Sequence, residues 1–481
     1  MYSIIIYSED KAVFEQLDYK IPAMKKLVSE LRKKYAYASV LAVNDDNRSW
    51  RVSRSGASIG AQGRGGSGYV VRVFDDIGCA EYSFNEFSGD MIPEIVNKIG
   101  EKIEAETKAL PDCVSPLKTP IPSDEPAKLK KSTPFKVDPR KLGDEAIIAK
   151  LTAAREKGLK TEGILDVIAN ASYRACRKVF ISENRELDQT LMWTCGGIVA
   201  LASRGEEIKD CYHPYSTLGG AEVLDDMEND VDSVTSVALE LLGSEPMIPG
   251  EYDCVCDPAT TGMIVHEAFG HGVEMDMFVK DRALAAKCVG TPVASSLVTM
   301  HDGSAVDQTA TFFFDDEGTI TGDTVVIDKG TLAGGFSDAL SASRLGVKPT
   351  GNGRRESYER KAYTRMTNTY FEAGSATKDE MIASIKYGFL LESPSSGMED
   401  PKNWGIQMMV SIAREIKDGK LTGKIFSPIV LTGYVPDLLN SVSMMSGKIE
   451  LGGSGACGKG YKEWVKVSDG GPYMKARIRL G

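Results

Sequence analysis

Val265-His266-Glu267-Ala268-Phe269-Gly270-His271-Gly272 sets two histidines around a glutamate, in a chain with four histidines in all. Imidazole is the commonest neutral metal ligand, and a carboxylate beside a metal can serve as general base. The spacing is HExxxH, one residue longer than the HExxH of ordinary zinc peptidases. On a regular helix, residues five apart lie about 140° apart, because each residue advances roughly 100°. Two imidazoles so placed share no face. A π-bulge, or a helix that ends near Gly270, brings them to one point. The motif therefore predicts a local distortion along with a metal.

The elements that must hold these residues are legible on the N-terminal side. Tyr252-Asp253-Cys254-Val255-Cys256 reads as a strand, Asp257 as a helix cap and Pro258 as the first helical residue. Met263, Ile264 and Val265 anchor the helix, so His266 and Glu267 sit two to three turns inside it. Rigid placement of this kind is what a catalytic metal site requires. Such a site usually takes three protein ligands and leaves a fourth position open. His301, Glu274, Asp276, Cys288 and Cys457 are the candidates for the third. Cys457 lies in a glycine-rich tract, Gly452 to Gly460, where backbone can approach a site closely, and Lys459 nearby favours a thiolate. Glu274 and Asp276 read as solvated acids of a surface turn.

A chain of 481 residues exceeds one ordinary core, and two domains are expected. A net charge of −11 and the lack of a basic stripe argue against direct nucleic-acid binding. No apolar run approaches the roughly 18–20 residues of a membrane helix. The first eleven residues lack the basic start and long apolar run of a signal peptide. Nine cysteines without CxxC pairs suit a reducing compartment, so a cytoplasmic location is expected.

The fold class expected is α+β. Residues 1–110 read as an N-terminal α/β domain with a mainly antiparallel sheet: helical spacing over 20–35 and 91–108, and strand runs over 38–43, 68–74 and 79–84. Its glycine-rich tract, Gly56 to Gly68, lacks the lysine and spacing of a P-loop and reads as a hairpin connection. Seven prolines between Pro111 and Pro139 suggest an extended connector over 111–140. Residues 141–245 continue the N-terminal lobe, with helical pattern over 144–156 and 163–178 and strands near 179–182 and 191–195. Residues 246–481 form a β-rich domain that carries the metal-site helix, with strands expected at 311–314, 323–329 and 425–432.

Five ordered motifs make the chain recognisable. They are His266-Glu267-Ala268-Phe269-Gly270-His271-Gly272; Phe314-Asp315-Asp316-Glu317-Gly318; Pro349-Thr350-Gly351-Asn352-Gly353-Arg354-Arg355-Glu356-Ser357-Tyr358; Arg365-Met366-Thr367-Asn368-Thr369-Tyr370; and Cys457-Gly458-Lys459. In this order they resemble the TldD/PmbA family, in its metal-bearing TldD-type branch. Tyr37-Ala38-Ser39-Val40 and Gly68 to Val73 match the first half more loosely. The tract around Tyr461-Lys462 and the segment Ser393 to Asp400 depart from the family pattern.

The resemblance implies a zinc metallopeptidase, with Zn2+ held by His266, His271 and Cys457 and Glu267 as general base. It implies a dimer around a chamber that admits unfolded peptides, either a homodimer or a heterodimer with a metal-free sister subunit. Arg354 and Arg355 could anchor a peptide carboxylate bidentately, and Asn368 and Thr369 could bond an extended substrate backbone. The competing reading is a non-catalytic peptide-binding or assembly subunit with structural zinc. Glu267 argues for the enzyme, because a structural site needs no base and closes all four positions.

Overall fold

In the first half, long strands lay down one sheet. The computed structural model describes residues 17–61, 66–75, 78–108, 121–460 and 462–481. The strands of this lobe are β1 (Tyr37–Ser53), β2 (Gly56–Gly60), β3 (Gly68–Phe74), β4 (Cys79–Phe84), β5 (Ala127–Ser132), β6 (Ile164–Ser182), β7 (Arg185–Arg204) and β8 (Glu207–Thr217). Their order is β4-β3-β1-β6-β7-β5, with β2 on β1 and β8 on β7. All pairs are antiparallel except β5 with β7.

One face of this sheet is covered by helices. Ile21–Arg32 and Ile92–Lys108 pack Met24, Leu27, Leu31, Ile95 and Ile99 onto Val40, Val71, Val73 and Val179. Pro139–Gly158 and Asp226–Leu241 cover Val167, Ala169, Ala171, Tyr173 and Ala175. Those last five residues explain a difference from expectation. Residues 163–178 are alanine-rich and read as helical, yet they belong to β6, where every second residue is buried. Period two on a packed face outweighs alanine's helix propensity.

The proline-rich connector is also more ordered than expected. Residues 111–120 lie outside the described residues. Residues 127–132 form β5, and Pro139 opens a helix capped by Asp138, whose Oδ1 accepts from Arg140 N at 2.9 Å. In the glycine-rich tract β2 pairs back onto β1 as a hairpin, and residues 62–65 are again outside the described set.

The second half holds β9 (Gly250–Cys256), β10 (Met300–Gly303), β11 (Asp323–Asp328), β12 (Thr331–Leu332), β13 (Gly353–Arg354), β14 (Tyr363–Thr364), β15 (Asn368–Phe371), β16 (Tyr387–Asp400) and β17 (Gly405–Lys417). There follow β18 (Lys420–Phe426), β19 (Ile429–Tyr434), β20 (Met444–Met445), β21 (Glu450–Gly452), β22 (Ala456–Lys459), β23 (Lys462–Lys466), β24 (Ser468–Gly471) and β25 (Met474–Leu480). The order β16-β9-β25-β19-β17 closes on itself, because β17 also pairs with β16. A second sheet runs β12-β11-β10-β15-β24-β21, and β13-β14 and β22-β23 are hairpins. Between ring and sheet lies the metal-site helix. Ile264, Val265, Ala268 and Phe269 share a core with Leu391, Met408 and Val410 of the ring and with Phe371 beyond it. Among the described residues no helix is long and apolar enough to cross a membrane.

The uncovered face of the first sheet meets the second half. Leu41, Val43, Val70, Phe180 and Leu187 pack around Phe314. Residues 311–314, expected as a strand, form only an isolated bridge at Phe314. Their backbone turns instead to the fully buried Gln189, whose Oε1 accepts from Phe313 N at 2.9 Å while Nε2 donates to Phe314 O at 2.9 Å. Buried ion pairs add to the seam: Arg72 with Glu317, Lys178 with Asp316, and Arg355 with Glu81.

Gln189→Ala should strand both backbone groups and open a cavity at the seam. A loss of about 2–4 kcal/mol is expected, read as a fall in the urea midpoint.

Candidate metal centre

The metal-site helix starts as the sequence requires and then changes pitch. Asp257 Oδ1 accepts from Thr260 N at 2.7 Å and Pro258 is the first helical residue. Regular α-helix runs over Pro258–Ile264, a π-helical turn over Val265–Gly270, and a 3-10 turn over His271–Val273. A π turn bonds i to i+5, so residues five apart stack. His266 and His271 face one another with ring centroids 5.1 Å apart and planes at 88°. Gly270 permits the turn because a Cβ there would collide with the Met366 sulfur.

The third donor arrives from β22. Cys457 Sγ lies 3.2 Å from His271 Nε2, and one donor atom from each of His266, His271 and Cys457 falls within 4.8 Å of the others. Tetrahedral zinc with N and S ligands separates its donors by about 3.3–3.6 Å, so this set fits with little movement. The buried His266 Nδ1 has no hydrogen-bond partner. Of the five candidates for a third ligand, the fold brings Cys457 to the histidines. His301 is elsewhere, held between Asp323 (2.8 Å) and Glu372 (2.9 Å).

Electrostatics around the cluster favour a thiolate. Burial pushes the Cys457 thiol up, but hydrogen bonds from His266 and His271 overcome it and bring its pKa to about 5. Burial works against both imidazolium forms, yet Cys457 raises both, and Glu274 adds to the effect on His271. Without metal these interactions favour a thiolate beside protonated imidazole. Burial alone would raise Glu274; Lys459, His271 and Arg365 instead hold it far below the usual carboxylate range.

Glu274 and Asp276 are therefore not solvated acids of a surface turn. Glu274 Oε2 lies 3.5 Å from His271 Nδ1 and 2.9 Å from Lys459 Nζ, and Asp276 Oδ1 is 2.8 Å from Lys459 Nζ. Lys459 accordingly serves these two carboxylates and does not pair with the Cys457 thiolate. Arg365, fully buried, joins the two sides: Nε lies 3.3 Å from Glu274 Oε1, Nη2 donates to Cys457 O at 2.9 Å, and Nη1 donates to Glu463 O. A carboxylate three residues after His271 was the readable sign of this support, since metal-ligating histidines commonly place their second nitrogen against one.

Two further acids were not foreseen. Glu399 Oε2 accepts from Gly272 N at 2.9 Å, and burial raises its pKa to about 8. Asp469, on β24, is raised to about 6, chiefly by burial. The Glu267 carboxylate, unlike that of Glu399, has no hydrogen bond or ion pair among the described residues, and a Cβ at Gly397 would strike its side chain.

The four residues expected to contact substrate are buried. Arg355 gives its Nη groups to Glu81 and to Arg360 O. Asn368 Nδ2 serves Gly303 O, Val306 O and Thr311 Oγ1, and Thr369 Oγ1 donates to Asp302 at 2.8 Å. Apart from Arg355 Nε, which has no partner among the described residues, the side-chain donors of these three are committed within the protein, and strand β15, which carries Asn368 and Thr369, lies inside its sheet and not at an edge. Arg354 donates to Met366 O and lies 4.4 Å from the centre of the Phe312 ring.

The arrangement defines a protein with a two-imidazole, one-thiolate centre on a π-distorted helix, inside a β-rich domain. Residues 249–478 match the PmbA/TldA metallopeptidase C-terminal domain, so the second half of this chain is a domain of the PmbA/TldD family. It is 31% identical over 280 residues to a metalloprotease of Methanothermobacter thermautotrophicus, covering 58% of this chain and 61% of that protein. It is 37% identical over 216 residues to the metalloprotease TldD homolog of Haemophilus influenzae, covering 44% of each. Against a zinc metalloprotease TldD homolog of Saccharolobus solfataricus, identity is 28% over 310 residues, 63% of this chain and 68% of that one. The matched stretch spans 44–61% of the first three such relatives. The fold as a whole is shared with a Thermotoga maritima protein described as a candidate modulator of a DNA gyrase (TM-score 0.78, 14% identity, 97% of this chain and 100% of that one). It is also shared with TldE of Thermococcus kodakarensis (TM-score 0.72, 17% identity, 95% and 100%).

Two outcomes follow from the electrostatics. In metal-free protein, iodoacetamide should alkylate Cys457 at pH 6–7 while Cys176, Cys254 and Cys256, whose thiols burial pushes up, stay unmodified. The rate should fall as pH drops through about 5, where the thiolate takes its proton. Glu274→Gln should weaken zinc binding by about 10–100-fold in a chelator competition, by loosening His271.

Proposed function

We propose that this chain is a zinc-dependent peptidase that hydrolyses unfolded peptides. His266, His271 and Cys457 would hold Zn2+, and Glu267 is the general base. The observation that carries this reading is the uncommitted Glu267 carboxylate beside a three-donor cluster. A structural zinc site fills its fourth position with protein and has no use for a free base. The names of the metalloprotease relatives point the same way.

When bound, zinc supplies Lewis acidity that polarises a peptide carbonyl and acidifies water. Glu267 takes the proton from the attacking water and returns it to the leaving amine. His271 is steadied from behind by Glu274, and Cys457 is steadied through its own carbonyl by Arg365. Glu399 fixes Gly272 by accepting its backbone N–H.

The geometry also favours an extended substrate. β9 pairs with β16 only over Gly388–Leu391, whereas β17 pairs with it as far as Asp400. Among the described residues the other edge of 394–400 is free, and Gly397 lies on Glu267. An unfolded peptide can add to that edge through backbone hydrogen bonds alone, while a folded one cannot. A cytosolic setting suits the eight described cysteines, all unbridged. Pairing with a second copy, or with a metal-free sister subunit, belongs to the same reading.

Glu267→Gln should keep about one zinc per chain and lose at least about a thousandfold in cleavage of an unfolded peptide. Cys457→Ala should lose zinc and cleavage together. Cleavage by zinc-loaded Glu267→Gln at the wild-type rate would remove Glu267 from the chemistry.

A further inference from the structure

At the seam between the lobes, cations outnumber the acids that pair with them. Arg174 and Lys178 lie on the inward face of β6, and each has a partner, Asp45 and Asp316 respectively. Among the described residues Arg354 has no carboxylate within ion-pair distance. It is 5% exposed, donates to one carbonyl and rests on Phe312, whose ring also lies 5.6 Å from Lys178 Nζ. Among the described residues Lys466 also lacks a carboxylate partner. Its Nζ donates to Ser454 O at 2.8 Å, bonds the Cys195 thiol and lies 4.7 Å from the centre of the Trp193 ring. Trp193 is the register partner of Arg174, and the Arg174 charge acts on both Lys466 and Arg354, which puts the three cations in one neighbourhood.

Asp302, the other acid near Arg354, is already saturated. Its oxygens accept from Asn352 Nδ2 (2.6 Å), Thr367 N and Oγ1 (2.8 Å each) and Thr369 Oγ1 (2.8 Å). Burial, with Arg365 and Arg174 close by, lowers the Arg354 pKa to about 9, which leaves it a cation at neutral pH. A buried cation without a counter-ion is costly, and an anion that supplies the missing charge binds there strongly.

Both groups adjoin the proposed metal. Arg354 bonds the carbonyl of Met366, the residue whose sulfur packs against Gly270. Lys466 pairs across the β22–β23 hairpin with Ala456, next to Cys457. We propose that Arg354 and Lys466 bind a carboxylate of the peptide ligand, with the Arg354 fork giving it orientation. The proposal rests on the peptidase reading for the identity of the ligand. The carboxylate is either the C-terminal one or that of an acidic side chain.

The test uses the zinc-loaded full chain carrying Glu267→Gln, so that peptide is not consumed. Three fluorescent hexapeptides are compared by anisotropy: a free acid, its C-terminal amide, and an amide with one internal glutamate. The free acid should bind about tenfold or more tighter than the plain amide. Arg354→Gln should erase that difference at unchanged zinc content. If the glutamate-containing amide binds like the free acid, the site holds and its source is a side chain. Equal binding of all three peptides overturns the site, and this comparison needs no substitution at Arg354. If no peptide binds, the peptidase reading fails. The site is then judged by acetate at constant ionic strength: stabilisation of the parent beyond that of Arg354→Lys supports it, and equal thermal shifts overturn it.

Discussion

The Arg365 guanidinium has no access to water, and the candidate metal centre is organised around it. Its three donor directions end on Glu274, on the carbonyl of Cys457 and on the carbonyl of Glu463. Buried charge is tolerated only where geometry satisfies it, so these partners have little freedom to move. Two of them control the cluster. Glu274 stands behind His271, and the Cys457 carbonyl fixes the strand that presents the thiolate. Lys459 closes the network by neutralising Glu274 and Asp276 together. One guanidinium thus couples Glu274 to Cys457, two segments far apart in sequence.

Around this network the β framework acts as a mould. The closed ring of β9, β16, β17, β19 and β25 holds one side of the metal-site helix, and the sheet containing β10, β15 and β24 holds the other. A helix confined on both sides can carry a π turn, because packing opposes its return to regular pitch. Glycines stand where backbone or side chains come too close for a Cβ: Gly270 against Met366 and Gly397 against Glu267. The first lobe contributes the other face of its sheet, which brings Arg174 and Lys178 of β6 to the seam.

The parts of the site that were legible had a local cause. His266 and Glu267 announced themselves by type and spacing, Asp257-Pro258 by the rules of helix starts, and the π turn by the mismatch between five residues and a helical turn. Cys457 stayed one of five candidates on residue chemistry, and only the family resemblance singled it out. Glu399, Asp469 and Arg365 carried no local signal, since each acts on a residue far away in the chain. Asn368 and Thr369, expected to bond an extended substrate backbone, have their donors held inside the protein, because β15 lies inside its sheet and Asp302 is buried beside it.

The sequence by itself determined which atoms could hold a metal, that the helix bearing them must depart from regular pitch, and the mixed architecture with its β-rich second half. Those properties depend on residue type and on separations of a few positions, where backbone geometry leaves few choices. Tertiary structure decided the rest: that residues 163–178 are strand, that Glu274 is a buried partner of His271, and that Lys459 serves carboxylates and not the thiolate. Each of these depends on what lies across a sheet or a seam. There the energies of burying apolar surface and charge exceed any local preference, and they are set by neighbours that the order of residues does not name.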